Sequence, residues 1–203
     1  MSRIGILGGS FNPVHYGHLA IAEEVRWALK LDMVYLIPAA RQPLKQHQPM
    51  VHAQQRMEMV RLACMGNAAL IPCDIEIKRP TLSYTVHTLE AFRQEFGNET
   101  EIWFLLGADA LNNLPQWYQV QRLLHLTRLA VIERPGHAID AIALEIALPG
   151  ITSRIDAVQG PALPFSSSQI RSRIANFQPV RYQLPDAVID YINTHQLYRE
   201  HDG

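Results

Sequence analysis

The 203-residue chain has only two cysteines, Cys64 and Cys73, and so few exclude a disulfide framework as the basis of the fold. One falls in a segment patterned as a helix and the other in a segment patterned as a strand, where both read as reduced core residues. Long uninterrupted apolar runs are also missing, although 48% of the residues are hydrophobic. That leaves no membrane-spanning candidate, yet enough apolar material for one sizeable core, and a single domain over 1–203 is expected. Nor is there an excess of charge of either sign. Eighteen Lys and Arg against 19 Asp and Glu leave a formal net charge of -1, and the basic residues are scattered, which argues against polymeric nucleic acid as a partner. The N-terminus lacks the build of a secretory leader, since Ser2-Arg3 leads at once into a short apolar run and a glycine turn. A cytoplasmic protein without a membrane partner is therefore expected. Internal repeats, low-complexity tracts and linkers are absent. So are the Gly-Lys-Ser/Thr of a Walker loop and the G-x-G-x-x-G of a dinucleotide fingerprint.

What is present is concentrated near the N-terminus. Arg3-Ile4-Gly5-Ile6-Leu7 reads as a buried parallel strand that ends in Gly8-Gly9, where two glycines let backbone approach a ligand. After Ser10-Phe11-Asn12-Pro13, the segment Gly17 to Lys30 repeats apolar residues with helical period, so His15 and His18 flank a helix start. Such a terminus offers unpaired N–H groups and the positive end of a dipole, and imidazole N–H groups add directed donors, a combination suited to phosphate. A zinc half-site is the alternative for His-x-x-His, but no matching Cys or acidic cluster completes four ligands. A capping or core role for either histidine also stays open.

Strand and helix patterns alternate beyond this point. Met33 to Ile37, Ala69 to Ile77, Ile102 to Leu106 and Leu129 to Ile132 read as strands. Gln54 to Cys64, Thr85 to Phe96 and Pro185 to Leu197 read as helices. The order predicts an α/β fold, a Rossmann-like doubly wound parallel sheet with helices on both faces in a single domain. Ligands in such folds gather at the carboxyl ends of strands, where Gly8, Pro38, Gly107 and Arg134 fall. The segment from Arg41 to Met50 reads as a polar loop placed to move over the site.

A second motif lies near the other end. In Phe165-Ser166-Ser167-Ser168-Gln169-Ile170-Arg171, serines stand where a helix would be capped and Arg171 about one turn into it, a convergence of hydroxyls, N–H groups and guanidinium on an anion. Taken alone it is also an ordinary capped surface helix.

The first motif resembles the G-G-[ST]-F-[DN]-P-[VI]-H-x-G-H signature of the nucleotidyltransferase superfamily, the adenylyl- and cytidylyltransferases related to class I aminoacyl-tRNA synthetases. The second resembles that superfamily's [IF]-S-S-[ST]-x-[IL]-R. Between them, Ser83-Tyr84-Thr85, Leu106-Gly107-Ala108-Asp109, Trp117-Tyr118 and Glu133-Arg134-Pro135-Gly136 are similar to the bacterial nicotinate-mononucleotide adenylyltransferases over nearly the whole chain. The resemblance implies an enzyme of NAD biosynthesis that transfers the adenylyl group of ATP to nicotinate mononucleotide. It further implies direct in-line attack without a covalent intermediate, with deamido-NAD and pyrophosphate as products. Mg²⁺ is the implied cofactor, held by substrate phosphates and water rather than by an acidic cage.

Carried over residue by residue, the resemblance assigns His15 and His18 to the α-phosphate as catalytic groups. It assigns Gly8, Gly9, Ser10, Phe11, Lys45, Gly107, Asp109, Arg134, Ser166, Ser167 and Arg171 to ATP. Trp117 would stack on the pyridine ring, Thr85 and the backbone near Tyr118 would meet its carboxylate, and Tyr84 would form a wall. Read without the resemblance, Trp117 is equally a core residue, Asp109 a helix N-cap and Arg134 a structural arginine. One departure is visible: the family commonly has Pro-Pro-His-Lys where this chain has Gln42-Pro43-Leu44-Lys45, so the lysine is kept and the histidine is not. The amidated mononucleotide or phosphopantetheine as acceptor, and a non-catalytic nucleotide sensor, are the competing readings. A homo-oligomer stands as an option that the sequence does not specify.

Overall fold

The computed structural model describes residues 2–41, 50–79, 81–133, 139–161 and 163–199. Six strands form one sheet: β1 (Arg3–Gly9), β2 (Met33–Pro38), β3 (Leu70–Pro72), β4 (Glu101–Gly107), β5 (Arg128–Glu133) and β6 (Ile155–Gln159). Their order is β3-β2-β1-β4-β5-β6, and every neighbouring pair is parallel. That is the doubly wound order in which the chain starts at the centre, builds outward to one edge, then returns to build the other. Eight α-helices accompany it among the described residues: α1 (Tyr16–Ala28), α2 (Ala53–Cys64), α3 (Thr85–Phe96), α4 (Ala108–Asn112), α5 (Val120–Leu126), α6 (Ala141–Ala147), α7 (Ser167–Ala175) and α8 (Asp186–Thr194).

Strand periodicity sorts the apolar residues to two faces. Leu7, Val34, Leu36, Trp103, Leu105, Ala130 and Ile132 pack with residues of α1, α2, α7 and α8. Ile4, Ile6, Ile37, Ile102, Phe104, Leu106, Leu129 and Val131 pack with residues of α3, α4, α5 and α6. The central strands are apolar on both sides because both faces are covered. Gly5 sits where a Cβ would lie 3.0 Å from both Leu31 and Val34, so the first strand is a glycine strand by close packing. Among the described residues, no helix is long and apolar enough to cross a membrane.

Two expectations need correction. The strand foreseen over Ala69 to Ile77 is limited to Leu70–Pro72. Pro72 has no N–H for a ladder, and the chain then turns, with Lys78 N–H bonding back to the Asp74 carbonyl at 3.0 Å. Cys73 therefore follows the strand rather than lying in it, and both cysteines are free thiols. The last helix is shorter than Pro185 to Leu197: Pro185 is its N-cap and His195 its C-cap, while Leu197 is buried beyond it.

Candidate active site

The sheet opens a crevice at the place its topology prescribes. Pairing of β1 with β4 ends at Ile6 opposite Phe104. Beyond that point β1 continues only with β2, as far as Gly9 opposite Pro38, and β4 only with β5, as far as Gly107 opposite Ile132. The two central strands thus lose their mutual bonds over their last residues, at the switch point where doubly wound folds bind ligands. Gly8 and Gly9 form one lip and Gly107 the other. Phe104 lies between, since a Cβ at Gly8 would meet its ring at 3.6 Å, whereas a Cβ at Gly107 would meet nothing within 4 Å.

From the first lip the chain turns sharply. Phe11 adopts a positive φ of 45° and is only 1% exposed, its ring folded back so closely that a Cβ at Gly9 would lie 3.2 Å away. Position 9 needs glycine for that reason and not for its own φ. His15 is the N-cap of α1, and its ring stacks on that of His18 with centroids 3.7 Å apart. Phe11 meets His18 edge-on at 5.0 Å. The backbone N–H of His15 donates to Nδ1 of His18 at 3.2 Å. A backbone amide can only donate, so Nδ1 is the unprotonated nitrogen and Nε2 carries the proton. His18 is thereby preset as an N–H donor beside the helix N-terminus.

The second motif docks beneath this turn. Ser167 Oγ donates to the Pro13 carbonyl at 2.9 Å, and Arg171 Nη1 donates to the Asn12 carbonyl at 2.8 Å. Ile170, fully buried, anchors α7 in the core. Ser166 is the N-cap of α7, and its hydroxyl lies 2.7 Å from that of Ser168. The two signatures, over 150 residues apart in sequence, are therefore one structure, with the Ser167 hydroxyl proton committed to the chain itself.

Across the crevice, Asp109 is exposed in the first turn of α4, whose N-cap is Gly107. The N-cap reading of Asp109 is thus replaced by a position one residue inside the helix. Trp117 is half-buried, with its ring edge-on to Phe104 at 5.9 Å, so one part of it is core and the rest is accessible. Tyr84 and Tyr118 lie 4.5 Å apart, His87 completes an aromatic cluster with both, and Thr85 opens α3 beside them. Phe104 thus links the glycine lip to the aromatic wall. Lys45, Leu44 and Arg134 lie outside the described residues, as does most of the polar loop after β2.

Side chains that sequence reasoning passed over hold this arrangement. Arg56, 1% exposed, bonds to three carbonyls around the first turn. Its signal was an arginine on the same apolar helix face as Met59 and Val60. Tyr198 donates to Asn12 Oδ1 at 2.8 Å, and burial holds its phenol well above the ordinary range. Ser83 Oγ accepts from the Ala40 N–H at 3.0 Å, tying the start of α3 to the end of β2. Behind it, Glu76 accepts from Thr88 Oγ1 at 2.7 Å.

Burial raises the Glu76 carboxyl above its ordinary value, with hydrogen bonds from Thr88 and Ser83 and the charge of Arg79 opposing. An acid raised on folding favours the native state fully below its unfolded pKa, and that contribution is lost as pH rises through the folded value. Urea midpoints of the wild type are therefore expected to carry a downward slope from the ordinary carboxylate range toward neutrality that Glu76→Gln flattens. An unchanged slope in the variant would assign the titration elsewhere.

A switch-point crevice flanked by a His-x-Gly-His helix start and a serine-arginine helix is the architecture of a nucleotidyltransferase. Residues 6–173 match the family model described as cytidylyltransferase-like, and the chain belongs to that family. A relative from Roseiflexus sp. (strain RS-1) named probable nicotinate-nucleotide adenylyltransferase is 50% identical over 196 residues, covering 97% of this chain and 98% of its own. One of the same name from Herpetosiphon aurantiacus is 43% identical, covering 98% and 99%. Within the family this enzyme groups with the nicotinate-nucleotide adenylyltransferases of NAD biosynthesis. Among solved structures, the nicotinic acid mononucleotide adenylyltransferase of Plasmodium falciparum complexed with NaAD superposes with a TM-score of 0.79 over 98% of each chain. At 19% identity, that likeness bears on the fold.

Proposed function

We propose that this chain transfers the adenylyl group of ATP to nicotinate mononucleotide by direct in-line displacement, releasing pyrophosphate and deamido-NAD. A phosphate oxygen of the mononucleotide forms the new bond to the α-phosphorus as the bond to the bridging oxygen of the leaving pyrophosphate breaks. The nucleophile arrives ionised, so no general base is needed, and catalysis rests on positioning and on neutralising charge over the phosphates. The observation that carries this reading is the Nε2–H donor of His18, fixed by the His15 backbone at the switch-point crevice.

In this scheme His18 and His15, with the α1 terminus, meet the α-phosphate. Gly8, Gly9, Ser10 and Phe11 shape the backbone beneath it, while Ser166, the backbone N–H of Ser167 at the start of α7, Arg171 and Lys45 serve the remaining phosphates. Asp109 takes ribose hydroxyls beside Gly107, and Arg134 lies over the nucleotide. Trp117 offers its free face to the pyridine ring. Thr85 and the backbone near Tyr118 receive the carboxylate, with Tyr84 as the wall behind. Divalent metal belongs to this chemistry. Mg²⁺ is assigned to the triphosphate and its waters as part of the substrate. A cytoplasmic location is part of the same proposal, following the NAD-biosynthetic relatives.

The test is turnover with Mg-ATP and either nicotinate or nicotinamide mononucleotide, following pyrophosphate and identifying the dinucleotide by mass. Strong preference for the nicotinate form is expected. Equal or better use of the amide would keep the transfer and overturn the carboxylate pocket, and no product with either would overturn the proposal.

A further inference from the structure

Arg56 is among the largest fully buried side chains of the described residues, and the mechanism above does not use it. It projects from the first turn of α2 on the face it shares with Met59 and Val60, both completely buried. Each of its three nitrogens donates to a different backbone carbonyl: Nη1 to Ser10 at 2.7 Å, Nη2 to Ala39 at 2.7 Å and Nε to Val51 at 3.1 Å. Among the described residues no carboxylate pairs with it. These carbonyls belong to the turn after β1, the end of β2 and the approach to α2, so one guanidinium ties three separate segments into a fixed triangle. Only a planar fork with separated donors can do this; an ammonium offers one point.

The position of the tie matters as much as its strength. Ser10 begins the turn in which the carbonyls of Asn12 and Pro13 are taken by Arg171 and Ser167. Carbonyl oxygens facing a phosphate repel it, and here three of the four between Ser10 and Pro13 are occupied by side-chain donors. Arg56 does more than occupy one. Burial costs a guanidinium its hydration and works against its charge, yet the carbonyl dipoles keep it cationic, a fixed positive charge behind the turn that no carboxylate among the described residues pairs. Arg93 is likewise bonded to backbone carbonyls, but where the end of α3 meets the end of α5, whereas Arg26 and Arg128 face carboxylates.

We propose that Arg56 is a positioning residue for ATP: it sets the backbone of the Ser10 turn against the end of β2 and holds its positive charge beneath the bound phosphates. This rests on the nucleotide-binding assignment of the crevice and adds to it a residue that never touches substrate.

The experiment compares wild type, Arg56→Lys and Arg56→Ala in steady-state kinetics with both substrates, in thermal unfolding, and in calorimetric ATP binding without acceptor. Arg56→Lys keeps the charge and loses the fork, so it is expected to stay folded and to lose on the order of 10²-fold in kcat/KM for ATP, as for a misplacement of about an ångström. KM for the mononucleotide should hold, and methylguanidinium should restore part of the activity of Arg56→Ala. A folded Arg56→Lys with wild-type kcat/KM for ATP would overturn the proposal. So would losses that raise both KM values together, track the melting temperature and resist methylguanidinium. If the wild type makes no dinucleotide but Arg56→Lys still weakens ATP binding, the acceptor assignment fails and the role of Arg56 stands. Normal turnover by the wild type with normal ATP affinity and kinetics in the variant gives the reverse.

Discussion

Replacing His18 with alanine is expected to lower kcat by on the order of 10²-fold or more, the loss typical of one preorganised donor to a developing charge. Three contacts set its ring in place: the His15 amide on Nδ1, the His15 ring at 3.7 Å and the Phe11 edge at 5.0 Å. None of these needs substrate, so the ordering of the donor is complete before ATP arrives and costs nothing at the moment of transfer. Loss of the imidazole removes the donor without removing the helix terminus, whose N–H groups still attract phosphate. KM for ATP is thus expected to move less than kcat. Near-normal kcat in a variant that melts with the wild type would refute the role of His18 and, with it, the observation on which the proposed chemistry rests.

The same ring explains what could and could not be read from sequence. The first motif was legible because its geometry is local: strand, turn, N-cap and imidazole all lie between Arg3 and His18. The parallel sheet was legible for a similar reason, since Ile102 to Leu106 and Leu129 to Ile132 are apolar on both faces only in a covered sheet. Strand β6 was missed because IDAVQ at an edge buries only Val158 fully and carries little apolar signal. Arg56 was missed because its partners Ser10 and Ala39 stand 46 and 17 residues away, and an arginine on a helix reads as solvated until those carbonyls are brought to it. The Ser167 hydroxyl follows the same logic: a cap-like serine gives no sign that its proton goes to Pro13, 154 residues earlier. Local motifs announce the turn and the helix start, while the side chains that orient them are visible only in three dimensions.

Gly17 offers a second large effect, one that separates activity from stability. It lies in the first turn of α1 between the two histidines, and a Cβ there would sit 3.0 Å from both Cε1 and Nδ1 of the His15 ring and 3.6 Å from Phe165 Cβ. Nothing about the backbone demands glycine, because its φ is not positive; the ring of His15 occupies the space. Gly17→Ala therefore drives the imidazole aside by a few tenths of an ångström and disturbs its stacking on His18. In an open helix the same change is stabilising by up to about 1 kcal/mol, which offsets much of the crowding. The expected result is a melting temperature close to wild type together with a loss in kcat on the order of 10²-fold, the cost of misaligning a preset donor. Matched wild-type and variant melts with full activity would show that the stacked pair tolerates displacement, and that the glycine between the histidines is not what holds them in register. A loss of activity that appears only with a large drop in melting temperature would assign Gly17 to the fold instead of the site.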